Sequence, residues 1–528
     1  MLQGKAILWT PFSLFQNGDR WLRGAGSRTM AFFMILSLLL LVLVTGNVLL
    51  SYWKQKKLAK LLPPGPPPLP LLGNLTCFDR VSACKHYPKL HQKYGPVFTV
   101  WKMTKPIVVL CGYETVKDAL VNHGEHFSER PPLPTADING KGYALSSDSK
   151  SWRQIRRFML SSLRNYGMGK KSMEDLVHEQ LQKLFSAISE KKGKDFRPIH
   201  LLGFAIYSTM SSVIFGENLD YKDPKLYDLV TATRKYIHSI NLPLYQICNA
   251  FPVLLKVPFI RNLVINVVDD VHLIVRTYAD AHKASIDITS PRDLLDTWIM
   301  KLKEEESKPG APFDEKSIAI HVGGLLAAGT DTTSSSLTFC LVMMSHVPDI
   351  QERVQREIDE VVGHDRVPGM KDRPQLPYTN AVIHECQRTL DLAPIALYHA
   401  ATEDIQFRGF LIPKGTTIIP FLTSVLSDPA HWKNPEEFDP DNFLDDEGQF
   451  KPNPAFLPFS AGPRVCLGEN LARMELFLMF SALLQKFAFR KPAGAKDLDL
   501  KYMQSNKMAF LVSSQLCAIP RSAPPFSA

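Results

Sequence analysis

Several short segments of the chain carry residue types at spacings that could do chemistry. The first is Phe459-Ser-Ala-Gly462-Pro-Arg464-Val-Cys466-Leu-Gly468, followed by a helical pattern from Glu469 to Phe489. A single cysteine is most often a small buried hydrophobe. Cys466 has a different setting. Gly462 and Gly468 permit tight backbone geometry and close approach of a flat ligand. A helix N-terminus offers a dipole and free amides that stabilise a thiolate. Arg464 can neutralise an acidic group nearby. A deprotonated sulfur, tuning hydrogen bonds and a cation for carboxylates are what a thiolate needs to hold the iron of a haem with its propionates.

A second segment, His321 to Met344, is apolar and stops before Pro348. It gathers Gly323, Gly324 and Gly329, although each glycine inside a helix costs about 1 kcal/mol against alanine. It also places Asp331 among Thr330, Thr332 and Thr333. The bland reading is a solvent-facing polar stripe. The sharper one is a helix opened beside a ligand, with a carboxylate and a hydroxyl set for proton delivery. Glu385 and Arg388 stand at i, i+3 on a helix that Pro377 can start; such a pair on a surface contributes only about 0.2–0.5 kcal/mol. Trp152 and Arg156 are separated by one helical turn, a spacing that alone carries little, and His399 alone would be an ordinary surface histidine.

These residues need a large domain to hold them. From Leu71 to about Cys517 there is neither a second linker nor an internal repeat. Short β-rich runs at Val97–Trp101 and Ile107–Leu110 precede a mostly helical pattern. Strand pattern returns over Ile405–Pro420, with an Arg408-Gly409 turn and a second run at Thr416–Pro420. The polar stretch Lys301–Lys316 connects two helices. The expected fold class is mainly α with a smaller β part (α+β). Of the 528 residues, 45% are hydrophobic and 21% charged, which excludes a disordered or fibrous chain. The net charge of +9 is too mild at this length to indicate nucleic acid. The eight cysteines are scattered with no C-x-x-C pair, which excludes a zinc ribbon or a dense disulfide framework.

Ahead of this domain, Ala31–Trp53 is 23 residues without a charge, longer than the roughly 20 needed to span a bilayer. Lys54, Lys56, Lys57 and Lys60 follow it. Prolines at positions 63, 64, 66, 67, 68 and 70 then favour an extended, semi-rigid spacer. The expected organisation is a leader over 1–30, an anchor over 31–53, a basic and proline-rich linker over 54–70, and a catalytic domain over 71–528. Arg20, Arg23 and Arg28 weaken the positive-inside count, which becomes one-sided if translation starts at Met30. The basic, acid-poor leader also has the character of a mitochondrial presequence, against which the long uncharged span argues. The sequon Asn74-Leu-Thr76 is silent in a cytosolic domain.

The Phe459–Gly468 segment closely resembles the haem-binding loop of the cytochrome P-450 superfamily, which implies Cys466 as the axial ligand of haem b. Ala328-Gly329-Thr330-Asp331-Thr332 resembles that superfamily's oxygen-activating groove, with Asp331 and Thr332 as the acid–alcohol pair. Glu385 and Arg388 resemble its structural Glu-x-x-Arg pair. The superfamily's third member, an arginine in a Pro-x-Arg-Phe segment, is replaced by Asn442 in Pro440-Asp-Asn442-Phe443. Trp152 and Arg156 resemble a propionate-binding helix, and His399 falls where relatives place a third propionate partner, with Tyr398 in place of the usual proline. The motifs cover residues 62 to 517, and GMGKKSMEDLVHEQ and HAATEDIQFRGFLIPKGT resemble the vertebrate microsomal enzymes of family 2.

The resemblance implies a cytochrome P-450 fold behind a single transmembrane helix in the endoplasmic reticulum, its catalytic domain on the cytosolic side. It implies a monooxygenase that inserts one atom of O2 into lipophilic xenobiotics, steroids or fatty acids. Electrons would come from a membrane NADPH–cytochrome P-450 reductase, with cytochrome b5 as an optional second partner; Arg153 and Arg157 would contribute to a basic docking patch. Pocket walls are implied near Pro131–Gly142, Tyr236–Phe251, Leu325–Ala328, Leu392–Leu397 and Ser505–Phe510. Two alternatives are a haem-thiolate isomerase or dehydratase and a non-enzymatic haem or lipid binder. Neither needs the Asp331-Thr332 pair.

Overall fold

A computed structural model describes residues 27–74, 80–137, 149–239, 242–308 and 312–521. The leader over 1–26, Thr76 of the sequon, and positions 138–142 and 240–241 of the expected pocket walls lie outside the described residues. The apolar run lies in helix α1 (Ser27–Ala59), which continues through Lys54, Lys56 and Lys57. Its Met34–Ala59 portion is long and apolar enough to cross a membrane and none of its most apolar window is buried in the protein. Beyond it the proline segment is pinned rather than free. Thr99 N donates to Pro64 O at 3.0 Å, and Asn74 exchanges hydrogen bonds with the backbone of Trp101 at 2.7 and 2.8 Å. The spacer is therefore hydrogen-bonded to β1 (Val97–Lys102).

β1 pairs antiparallel with β2 (Lys105–Leu110), and four helices then build the body of the site: α2 (Ser149–Asn165), α3 (Lys171–Ser189), α4 (Pro198–Phe215) and α5 (Glu315–His346). α4 is as apolar as a membrane span, but 78% of its window is buried. It is a core helix packed on α5. α5 is also covered by the helix Pro258–Ser285. It starts at a capping box, in which Ser317 N donates to Asp314 Oδ1 at 2.7 Å and Asp314 N to Ser317 Oγ at 2.9 Å. The helix Leu294–Glu305 extends into the polar stretch expected as a connection.

α6 (Pro377–Leu390) takes its proline at the first turn, where no amide is needed. The Ile405–Pro420 pattern resolves into β4 (Ile405–Phe407), β5 (Phe410–Ile412) and β6 (Thr417–Pro420), after a two-residue β3 (His399–Ala400). Arg408 and Gly409, with φ of 49° and 85°, make the hairpin turn between β4 and β5, supplying the positive φ at both central residues that a tight two-residue hairpin turn needs. The main sheet runs β1-β2-β6-β3, with β2 parallel to β6. α7 (Glu469–Lys486) ends earlier than the helical pattern that was expected to reach Phe489. Phe487 opens β7 (Phe487–Arg490), which alternates buried and less buried residues and pairs with β8 (Cys517–Pro520).

The loop that carries Cys466 is wedged against the five-residue π-helical turn Asp118–Asn122. Gly462 has φ of +73°, and a Cβ there would lie 1.7 Å from the Leu120 carbonyl oxygen. No side chain can be accommodated without moving backbone. Gly462→Ala is expected to abolish folded, haem-containing protein, measured as the haem absorbance recovered per chain; a normal yield would contradict the wedge.

Inside α7, Glu475 is buried and its Oε1 accepts no hydrogen bond among the described residues. Burial pushes its carboxyl from 4.5 up to about 8. Between those values the folded state keeps a proton that the unfolded chain has released. Stability therefore falls as pH rises through that window, by at most about 1.4 kcal/mol per pH unit. Glu475→Gln is expected to remove the slope, so that its advantage over wild type in urea unfolding grows from about pH 5 to about pH 8. Parallel pH profiles would contradict this.

Candidate functional site

Cys466 N donates to Phe459 O at 3.0 Å, closing the loop on itself just before α7 begins. The amides of Gly468 and Glu469 also face the sulfur and favour its anion, as expected of a helix N-terminus, and Arg156 does so by charge. Desolvation is the larger effect, and the thiol's pKa is raised. The amides stabilise the thiolate as the sequence led one to expect, but in the protein alone burial outweighs them. A bound metal would reverse the balance, since a coordinating thiol is deprotonated outright. Cys466 nevertheless has exposed surface.

Gly468 caps α7 with φ of −91°, and a Cβ there would meet no protein atom. Of the two glycines of the loop, only Gly462 is required by protein contacts.

The residues expected to bind propionates converge from distant parts of the chain. Trp152 is buried on α2, with the Arg464 guanidinium 3.8 Å from its ring centroid and that of Arg156 at 6.0 Å. Arg464 Nε donates to Ser128 O at 2.7 Å. His399 is buried, not a surface histidine, and its Nδ1 hydrogen-bonds Phe127 O at 2.7 Å. Burial, then the charges of Arg130 and Arg464, push its pKa down to about 3. Sequence reasoning missed Arg130, which donates from Nη1 to the carbonyls of Leu397 and Tyr398 at 2.7 and 2.8 Å. Its only signal was an arginine before Pro131-Pro132, which has no periodicity. A buried cluster this positive suits a ligand carrying carboxylates, whose charge would relieve both the arginines and His399.

Asp331 and Thr332 lie on α5, which runs unbroken through them. The expected opening of the helix does not occur. Instead Thr330, Thr332 and Thr333 donate to the carbonyls of Leu326, Ala328 and Gly329 at 2.7, 2.7 and 2.8 Å, the usual way for such hydroxyls to be satisfied inside a helix. Two of the glycines expected to admit a ligand serve packing: a Cβ would meet Val271 at 2.9 Å from Gly323 and Met210 at 3.1 Å from Gly329, while one at Gly324 would meet no atom of the described residues within 4 Å. Beyond its exposed first residues Glu315 and Lys316, what α5 does present is Ala328 and Thr332, exposed and one turn apart among buried or half-buried residues. Desolvation raises the Asp331 pKa against the opposing charge of Arg234, a second residue the sequence did not single out.

Glu385 and Arg388 are fully buried, joined by Nε and Nη2 at 2.7 and 2.6 Å. Arg388 also donates to the carbonyls of Leu426, Pro435 and Glu437 at 3.0, 2.8 and 2.7 Å, while Asp439 N donates to Glu385 at 2.9 Å. Asn442 bonds locally instead, to Asp439 O and Lys433 N at 3.0 and 3.1 Å. Backbone carbonyls thus satisfy the arginine without a third side chain. Of the two arginines expected to dock a reductase, both are exposed, and Arg153 pairs with Glu125. A separate buried trio, His282, Asp293 and Asp296, is satisfied by Arg292, backbone amides and the Tyr278 carbonyl.

A family profile described as Cytochrome P450 matches residues 63–513. Cytochrome P450 2C20 of Macaca fascicularis is 42% identical over 484 residues, covering 91% of this chain and 99% of that protein. Cytochrome P450 2C8 of Homo sapiens is 41% identical over 483 residues, with 91% and 99% covered. Cytochrome P450 2C5 of Oryctolagus cuniculus is 41% identical over 484 residues, again with 91% and 99% covered. An exposed cysteine at the start of α7, a basic cluster suited to carboxylates and this breadth of similarity lead to one conclusion: the chain belongs to the cytochrome P450 family and is a monooxygenase whose haem is held by a cysteine thiolate.

Proposed function

We propose that Cys466 supplies the thiolate, that Trp152, Arg156, Arg464 and His399 hold the propionates with Arg130 as a further member, and that Asp331 and Thr332 deliver protons. Haem bound there supplies oxygen activation and the oxidising equivalents, so that one atom of O2 enters a lipophilic substrate. The chain's own part is binding, orientation and proton handling. Phe459 and Gly462 hold the sulfur-bearing loop in place, and the Gly468 amide faces the sulfur. His399 now has Nδ1 committed to Phe127 O, and it can donate from Nε2 once a nearby carboxylate raises its pKa. Asp331, partly desolvated, holds a proton more readily than a surface aspartate. The Thr332 hydroxyl, leaving the Ala328 carbonyl, can pass that proton toward the accessible face of α5.

The observation that carries this reading is the pairing of exposed Ala328 and Thr332 with half-buried Asp331 in the middle of a mostly buried helix. An isomerase or a passive binder has no use for that pairing. The apolar residues along the expected walls suit xenobiotics, steroids or fatty acids. We further propose residence in the endoplasmic reticulum membrane through α1, with Lys54, Lys56 and Lys57 on the cytosolic side, and reduction by NADPH–cytochrome P450 reductase, assisted by cytochrome b5. Reconstituted with that reductase in lipid vesicles, the enzyme is expected to consume NADPH and O2 while hydroxylating a lipophilic substrate found by screening. Thr332→Ala is expected to keep consuming NADPH but to lose product by about 10-fold or more, with hydrogen peroxide rising. Product and NADPH consumption unchanged together would contradict the proton-delivery role.

A further inference from the structure

Two adjoining clefts of about 420 and 250 Å³ open where α6, the turn Met370–Gln375, the segment 443–456 and the first turns of α7 meet; they share Arg373 and Phe450 as walls. No residue lining either cleft is acidic. Arg373 donates through Nε and Nη2 to a single neutral acceptor, Asn380 Oδ1, at 3.2 and 3.0 Å, and forms no ion pair among the described residues. Arg473 lies close enough to depress the Arg373 pKa further, after burial. Arg473 itself is held by Glu469 at 2.9 and 3.0 Å, and its Nη1 donates to His384 Nε2 at 2.9 Å. His384 is a neutral acceptor here, because its Nδ1 is bonded to Asn380 O at 2.7 Å. Of the two guanidiniums only Arg473 has a carboxylate partner among the described residues, and Phe450 and Phe456 supply aromatic walls beside them.

A concave site with an uncompensated guanidinium and a second one beside it is electrostatically incomplete. Paired planar forks match the several acceptor oxygens of a tetrahedral oxyanion better than a halide, which accepts from a point. We propose that this cleft is a binding site for a phosphate-class oxyanion, with Arg373 supplying the free charge, Arg473 the second fork and Asn380 fixing the orientation of Arg373. The ligand is inorganic phosphate or the phosphoryl group of a small metabolite. The site uses none of the residues that hold the haem or deliver protons.

The test is equilibrium dialysis of the full-length holoenzyme in detergent against radiolabelled inorganic phosphate, at an ionic strength fixed with chloride. One saturable phosphate per chain is expected, with Arg373→Gln weakening it by about tenfold or more. Gln449→Glu, at the exposed rim, places a carboxylate near Arg373 and is expected to weaken phosphate several-fold in a protein that keeps its fold and its haem spectrum. It keeps the test valid if Arg373→Gln does not fold. Displacement by glycerol phosphate assigns the phosphoryl group, and its failure to displace assigns the free ion. Absence of saturable binding, or phosphate affinity unchanged in Gln449→Glu, would overturn the proposal.

Discussion

The constraint on which the rest of the structure depends is the buried Arg388 guanidinium. It holds both oxygens of Glu385 and three backbone carbonyls contributed by Leu426, Pro435 and Glu437. Its five fixed donors allow one side chain to tie a carboxylate and an irregular chain segment together. Full satisfaction is also what makes burial of the charge tolerable, since removing one member of a buried pair costs about 3–5 kcal/mol. The segment it captures leads through the Pro440–Phe443 turn to the loop bearing Cys466. That loop is then wedged at Gly462 against Leu120. The position of the sulfur is thus fixed by an ion pair some eighty residues earlier in sequence and by one glycine four residues before it.

Two electrostatic environments meet around this sulfur, and neither is at rest in the protein alone. The thiol is desolvated beyond what the α7 amides offset. Burial, reinforced by the positive potential of the neighbouring arginines, keeps His399 neutral. A metal beside the sulfur and carboxylates beside the arginines would answer both conditions in one ligand. Arg156 acts on the sulfur electrostatically while flanking the Trp152 ring, so the two environments are physically connected. Haem with its propionates meets both demands, which is why the family assignment and the local physics agree.

Much of this was legible in the sequence because it was local. The Cys466 loop, the Arg408-Gly409 turn, the proline that opens α6 and the Glu385–Arg388 spacing are all short-range patterns with a mechanical cause. The adjacency of Asp331 and Thr332 on one helix was legible in the same way. The purpose of Gly323 and Gly329 was misread, because their neighbours Val271 and Met210 come from helices far away in sequence. Arg130 and Arg234 were invisible for the same reason: their importance lies in what tertiary packing brings beside them. The end of α7 at Lys486 was also not legible, since Phe487–Arg490 becomes a strand by pairing with residues 517–520, which no local propensity announces.

The central claim is that Cys466 is the thiolate ligand of the haem. The most direct test is the absorption difference spectrum of the dithionite-reduced protein with and without carbon monoxide, on freshly prepared wild type and Cys466→Ala. A Soret band at the red-shifted position of thiolate ligation is expected in the wild type and lost in the variant. A haem spectrum without that shift in intact wild-type protein, or the same shifted band in Cys466→Ala, would contradict that claim.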